Sequence, residues 1–145
     1  MINIVKGNLF NSEAQTLVNT INCVGAMGKG IALEYKNRYP AMYKRYRELC
    51  NDKLIEIGKL WLYKTEDKWV LNFPTKDDWR KDSKVEYLIL GLEKFVGTYK
   101  EKGITSIAFP LLGASNGGLD PKLSLDLMMN YLNQCDIPIE IYSGR

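Results

Sequence analysis

Apolar positions recur along this chain with two periods, and the switches between them mark out its elements. Residues 2 to 6, INIVK, read as a short strand closed by a turn at Gly7-Asn8, and residues 15 to 22, QTLVNTIN, read as a second strand. KGIALEYKNRY has helical spacing that stops before Pro40, and AMYKRYRELC resumes it behind that proline. KLWLYK, 59 to 64, and KWVLNF, 68 to 73, predict paired strands around a TED turn. Ser83 with Glu86 three residues later predicts a capping box. The helix it opens runs to about Lys100, with Val85, Leu88, Leu92, Phe95, Val96 and Tyr99 as its apolar face, and Gly103 ends it. ITSIAFP, 104 to 110, is nearly all apolar, as for a strand buried on both faces. A glycine-rich loop then leads into a helix from Pro121 to about Gln134, and IPIEIY closes as a last strand. Strands alternating with helices predict an α/β chain in three layers, α/β/α. Without a repeat or a linker, residues 1–145 read as a single domain.

Composition narrows the function more than the fold. At 145 residues the chain can bury a core without disulfides or metals, and its 46% apolar and 26% charged residues are those of a soluble globular protein. No apolar run approaches a membrane span and the N-terminus has no secretory pattern, so no membrane partner is expected. A net charge of +3 permits an anionic ligand without requiring one. Cys23, Cys50 and Cys135 are scattered, odd in number and lack a CxxC, which reads as reduced thiols in a cytoplasmic protein. There is no histidine. Histidine triads, zincin-type sites and histidine bases are therefore excluded, and proton transfer falls to lysine, carboxylate, tyrosine, cysteine or water.

Two stretches carry the candidate chemistry. NCVGAMGKGIA, 22 to 32, lies between a buried strand and a helix, and LLGASNGGLD, 111 to 120, occupies the same kind of position. Bare glycine backbone lets a ligand approach closely, and the free N–H groups of a first helical turn favour negative charge. Two such loops at strand ends suit a pyrophosphate between two sugars. The familiar phosphate motifs do not fit: residues 25 to 30 spell GxxGxG rather than GxGxxG, and Lys29 is followed by Gly30 rather than Ser or Thr. The structural alternative is that both loops are tight connections with glycines at strained angles.

In order, KGNLF, LVNTINCVGAMGKGIA, GKLWLYK, WVLNFPTKDDWR and ITSIAFPLLGASNGGLD resemble a macrodomain, an ADP-ribose-binding module, over nearly the whole chain. Within that family the chain is most similar to the DarG-type branch, related to the terminal ADP-ribose protein glycohydrolases, and NFPTKxxWR is the most specific part. The resemblance implies an α/β/α macrodomain with a mixed central sheet. It implies a glycohydrolase that removes ADP-ribose from thymidine in DNA, with no metal and no other cofactor. The implied partners are ADP-ribose, ADP-ribosylated single-stranded DNA and a DarT-type toxin, and the expected state is a monomer. A reader that binds ADP-ribose without catalysis stays open, as does a hydrolase of ADP-ribose 1″-phosphate, acylated ADP-ribose or ADP-ribosylated protein. Full antitoxins of this type carry a further C-terminal domain, and the chain ends at YSGR straight after the last strand. A piece of a longer protein and a standalone protein are both compatible with that end.

The resemblance also assigns roles. Lys76 matches the catalytic lysine, near the anomeric carbon of the distal ribose. As a neutral amine it is a nucleophile able to form a Schiff base, and protonated it stabilises charge on the leaving group. Otherwise it is a solvated loop lysine. Asp120 matches the partner carboxylate, and its residue type before Pro121 also suits a helix N-cap. Asn22 is expected to hold ribose hydroxyls, or to be a turn asparagine. Asn8 stands where many macrodomains have an aspartate that accepts from the adenine amino group, and it can accept through its carbonyl without charge. The remaining expected ADP-ribose contacts are Leu9, Gly25, Met27, Gly28, Lys29, Gly30 and Ile31 around the first loop, and Thr75 beside Lys76. Around the second loop they are Leu112, Gly113, Ala114, Ser115, Asn116, Gly117, Gly118 and Leu119. Trp79 and Arg80 are expected to contact nucleic acid by stacking and phosphate pairing. Alternatively Trp79 covers the core edge and Arg80 pairs with Asp77 or Asp78. Cys23 beside the first loop is read as a small packing residue.

Overall fold

The computed structural model describes residues 1–144. Its elements, in chain order, are β1 (Ile2–Val5), β2 (Thr16–Asn22), α1 (Gly30–Arg38), α2 (Pro40–Asn51), β3 (Trp61–Lys64), β4 (Trp69–Lys76), α3 (Val85–Thr98), β5 (Ile107–Pro110), α4 (Pro121–Leu132) and β6 (Ile139–Tyr142). Short 3-10 turns occupy Leu9–Asn11 and Ser115–Gly117. The strands form one sheet in the order β1-β6-β5-β2-β4-β3. Every neighbouring pair is parallel except β3 with β4, which is the hairpin read from KLWLYK and KWVLNF. The sheet is thus mixed, as expected.

Period-two alternation divides the buried side chains between the two faces. Leu17 and Ile21 of β2 and Val70 of β4 join Tyr35, Met42, Tyr46 and Leu49 from α1 and α2. Val18, Leu71, Phe73, Ile107, Phe109, Ile139 and Ile141 join Leu88, Leu92 and Phe95 of α3 and Met128 and Leu132 of α4. Helices on both faces of one sheet make the three layers. The packing of α3 on β4 is close enough to need a glycine: a Cβ on Gly91 would stand 2.3 Å from the Phe73 ring. Pro40 separates α1 from α2 as its ring dictates, leaving Tyr39 non-helical (φ −130°, ψ 68°) and itself opening α2.

Three local expectations are corrected. β4 does not stop at Phe73 but runs through Pro74 to Lys76, so Lys76 ends a strand rather than sitting on a loop. The missing proline N–H is accommodated where β2 shifts register between Ile21 and Asn22, a place where the ladder is already irregular. Ser83 is no cap: Lys84 precedes α3 without a side-chain cap bond, and the Ser83 hydroxyl donates instead to the Thr75 carbonyl. The buried run before Pro110 is strand only from Ile107. Within the sheet, Asn19 Nδ2 donates to Asn72 Oδ1 at 3.0 Å, a polar tie between the two strands that end at Asn22 and Lys76.

Candidate functional site

The parallel strands point their carboxyl ends the same way, and a cavity of about 1010 Å³ opens there. Thr20, Ile21 and Asn22 end β2, Thr75 and Lys76 end β4, Pro110 and Leu111 end β5, and Tyr142 and Ser143 end β6, all on its wall. This crevice beyond the strand ends is where open α/β sheets take ligands.

The first glycine-rich loop is held from below. Asn22 is 7% exposed and spends its side chain on the loop: Nδ2 donates to Ala26 O at 2.7 Å, and Oδ1 accepts from Val24 N and Ala26 N. The Tyr46 hydroxyl of α2 reaches both Asn22 O, at 2.7 Å, and Asn22 Oδ1, at 2.9 Å. Burial pushes that phenol well above its ordinary range, so it stays a donor. Met27, 1% exposed, plugs the loop into the core beneath α1 and α2. Cys23 N donates to Asp77 O, tying the loop to the segment after β4. Burial, reinforced by Asp77, pushes the Cys23 thiol up to about 12, which keeps it protonated and unreactive near neutral pH.

The second loop is stapled from two sides. Ser83 N donates to Gly117 O at 2.8 Å, and Ser124 Oγ, from the first turn of α4, donates to Leu112 O at 2.6 Å. Leu119 N closes the loop on Gly113 O at 2.9 Å, and its side chain packs on the core. The two loops meet over the cavity. A Cβ on Gly30, whose φ is +56°, would lie 2.9 Å from Asn116 Nδ2. Gly28 differs: it has ordinary φ, and nothing stands within 4 Å of where its Cβ would be. Its bareness serves the open space rather than the backbone.

One end of the cavity carries Lys76. Its Nζ donates to Trp79 O at 3.3 Å, a long bond that leaves the amine other directions to act in. Trp79 is 51% exposed on the wall, not a cover for the core, and the Arg80 guanidinium lies 5.6 Å from its ring. Arg80 pairs with Asp78, Nη2 to Oδ2 at 2.6 Å and Nε to Oδ1 at 2.9 Å. That hydrogen bonding holds the Asp78 carboxyl well below the usual carboxylate range.

The other end joins the two chain termini, since Gly7 N donates to Gly144 O at 2.9 Å. Asn8, Leu9, Phe10, Tyr142 and Ser143 line it. The Phe10 ring is held between Tyr35, 4.7 Å away, and the Arg38 guanidinium at 4.3 Å, itself paired with Glu34. Asn8 caps the 3-10 turn, its Oδ1 accepting from Phe10 N at 3.0 Å.

Of the residues expected from the sequence, Asn8, Leu9, Asn22, Gly28, Lys29, Gly30, Ile31, Thr75, Lys76, Trp79, Arg80, Gly113, Ala114, Ser115, Asn116 and Gly117 are brought together on the cavity wall. Gly25, Gly118, Leu119 and Asp120 lie off it, and Met27 and Leu112 are core residues that shape the loops from within. Asp120 is exposed at the start of α4 and makes no side-chain cap bond, although Pro121 beside it reaches the wall. Sequence reasoning missed Phe10, Thr20, Lys81, Asp82, Tyr142 and Ser143 on that wall. Thr20 was legible as the alternate residue before Asn22 on a strand whose end is a site; the β6 end had no local signal.

The Macro domain family model matches residues 18–128. A Mycobacterium tuberculosis protein named DNA ADP-ribosyl glycohydrolase is 44% identical over 124 residues, 83% of this chain and 35% of its own length. This chain therefore spans about a third of that relative. The solved macrodomain of Mycobacterium tuberculosis DarG superposes with a TM-score of 0.94 at 40% identity, covering 98% of this chain and 97% of that one. Thermosipho africanus DarTG, solved in complex with ADP-ribose, matches with a TM-score of 0.94 at 37% identity, covering 99% of this chain and 41% of that one.

Proposed function

Given that the chain belongs to the macrodomain family, we propose that it is an ADP-ribosyl glycohydrolase that removes ADP-ribose from a modified nucleobase, thymidine in single-stranded DNA. The observation that carries this reading is Lys76 at the end of β4, on the wall of the same cavity as both glycine-rich loops. The pyrophosphate lies between the loops against backbone N–H groups, where Gly28 and Gly30 permit approach. The distal ribose then extends toward Lys76.

In the reaction the bond between the anomeric carbon and the base nitrogen breaks. Water supplies hydroxyl to the carbon and a proton to the base. Lys76 acts at that carbon, as a neutral amine that forms a transient covalent bond or as an ammonium that steadies the departing base. Asp120, a carboxylate one residue from the wall, is its partner in moving protons. Cys23 lies off the cavity wall, and burial holds its thiol above its ordinary range, so no role is assigned to it. Trp79 and Arg80 hold the nucleic acid at the Lys76 end, the ring by stacking on a base. The names of the relatives support DNA as the carrier and ADP-ribose as the ligand. A DarT-type toxin is the enzyme that would make this substrate.

The test is parallel incubation with ADP-ribosylated single-stranded DNA, ADP-ribosylated protein and ADP-ribose 1″-phosphate. Release of ADP-ribose from the DNA is expected. Turnover of the protein or the phosphate alone would overturn the substrate assignment, and binding without turnover of any of the three would leave a reader.

A further inference from the structure

Lys76 reaches the cavity at the end of β4, and its place there is set by the register of β4 against β2. The apolar pattern specifies that register weakly. Both strands are buried on both faces along nearly their whole length, so a slipped pairing buries much the same surface. The end of the ladder does not fix it either. Pro74 has no N–H to give, and the pairing steps from Ile21 with Pro74 to Asn22 with Lys76, passing over Thr75.

In the regular part of the ladder Asn19 stands opposite Asn72, and both are 0% exposed. Asn19 Nδ2 donates to Asn72 Oδ1 at 3.0 Å. Asn72 Nδ2 donates onward to Trp61 O of β3 at 3.3 Å and lies 3.5 Å from Met42 Sδ of α2. One amide thus ties β4 to the strands on either side of it and to a helix. Stability alone does not account for the pair. Asn19 Oδ1 is buried with no hydrogen-bond partner among the described residues, and a buried acceptor left in that state costs stability. Two leucines would fill similar space without that cost. Leucines cannot tell one register from another, whereas any slip of β4 leaves both amides stranded. Asn72 also opens the NFPTKxxWR stretch that leads to Lys76.

We propose that Asn19 and Asn72 are positioning residues for the glycohydrolase reaction: their hydrogen bond sets the register that delivers Lys76 opposite Asn22. Neither side chain lines the cavity, so the pair acts through Lys76. This inference rests on the reading of Lys76 as the group at the reacting carbon.

The experiment compares the parent, the double variant Asn19→Leu/Asn72→Leu, and Asn19→Ala. Three quantities are measured: denaturant unfolding, calorimetric affinity for ADP-ribose, and the single-turnover rate of ADP-ribose release from modified single-stranded DNA. The double variant is expected to unfold at the parent's denaturant concentration or a higher one. Its affinity for ADP-ribose should stay within about threefold, while release slows about tenfold to a hundredfold, the scale for a reacting group misplaced by about an ångström. Asn19→Ala leaves Asn72 on Trp61 O, should show the same split in smaller measure, and decides the question if the double variant does not fold. A merely structural pair lowers stability and leaves the rate of the folded protein alone. A folded variant with the parent's rate therefore overturns the inference while leaving the role of Lys76 intact. So does an equal loss of rate and affinity, which makes the pair a general support of the cavity. No release from DNA by the parent overturns the reading of Lys76 and this inference with it.

Discussion

The two ends of the cavity are built in opposite ways. At the Lys76 end, Lys76, Trp79 and Arg80 reach the wall from one contiguous stretch, which leaves β4 and turns back on itself through Lys76 Nζ to Trp79 O and Arg80 to Asp78. At the Asn8 end they come from both termini, brought together because β1 pairs with β6. The first end is open, with Trp79 half exposed; the second is walled by aromatic rings already held by other groups. A cavity with one fixed end and one open end suits a ligand whose far part is always the same nucleotide and whose reacting part is attached to something large.

The largest expected effect separates the ends by function. Lys76→Ala should lower turnover of ADP-ribosylated DNA by about 1000-fold or more while keeping ADP-ribose affinity within a few-fold, because an interaction used only in the transition state is lost from rate and not from binding. Lys76→Arg should also fail if the amine attacks, since guanidinium stays protonated; retained activity would mark an electrostatic role. Single-turnover kinetics beside calorimetry reads both quantities. Full activity in Lys76→Ala would break the comparison, leaving no reacting end at Lys76.

Next comes the middle, which both ends share. Gly28→Leu places a side chain in open space at ordinary backbone angles, so the fold should survive and affinity should fall by about tenfold to a hundredfold as the pyrophosphate loses its approach. Unchanged ADP-ribose affinity in a folded Gly28→Leu protein would remove the phosphate from that loop. A smaller and one-sided loss is expected from the open end: changing Trp79 and Arg80 together to alanine should slow turnover of modified DNA by roughly tenfold, the worth of one stacked base, and spare the affinity for free ADP-ribose. Equal losses on both measures would make these residues part of the pocket for the sugar.

The same contrast explains what could be read from the chain. The Lys76 end was legible because its residues adjoin one another in FPTKDDWR, and the glycine loops because each announces a strand-to-helix turn. The Asn8 end was legible only at Asn8 and Leu9, because Phe10, Tyr142 and Ser143 gain their place through pairing of strands more than a hundred residues apart, and no local pattern encodes that. Ser83 shows a second kind of failure. Its spacing from Glu86 suits a capping box, yet its hydroxyl and N–H were drawn to Thr75 O and Gly117 O, partners that exist only once β4 and the second loop are adjacent. Tertiary demand there outweighs a cap that would be worth about 1 kcal/mol. Met27 and Leu112 failed in the opposite direction: both sit within or beside the glycine-rich loops, but are buried in the core.

The smallest effect tests whether the Lys76 end is organised from beneath. Tyr46→Phe removes one hydroxyl that serves both Asn22 O and Asn22 Oδ1, and nothing else in the ring's packing need change. Asn22 pairs with Lys76 across the β2–β4 register, so a loosened Asn22 relaxes the loop and the strand end together. The expected cost is about 1–2 kcal/mol in stability, the range for leaving a buried acceptor short of its donor. Its pH dependence has a definite sign. Burial raises the Tyr46 phenol above its ordinary value of 10.0, so the parent's advantage is whole below that pH and is lost only as pH rises through the higher folded value. Denaturant unfolding of both proteins at pH 7 and at pH 9 should therefore give the same difference. If the end walled by Asn8 is independent of this tie, Tyr46→Phe should lower turnover a few-fold yet leave unaltered the affinity for free ADP-ribose. A changed affinity would mean the two ends are mechanically one, and the contrast between them would be of sequence origin alone.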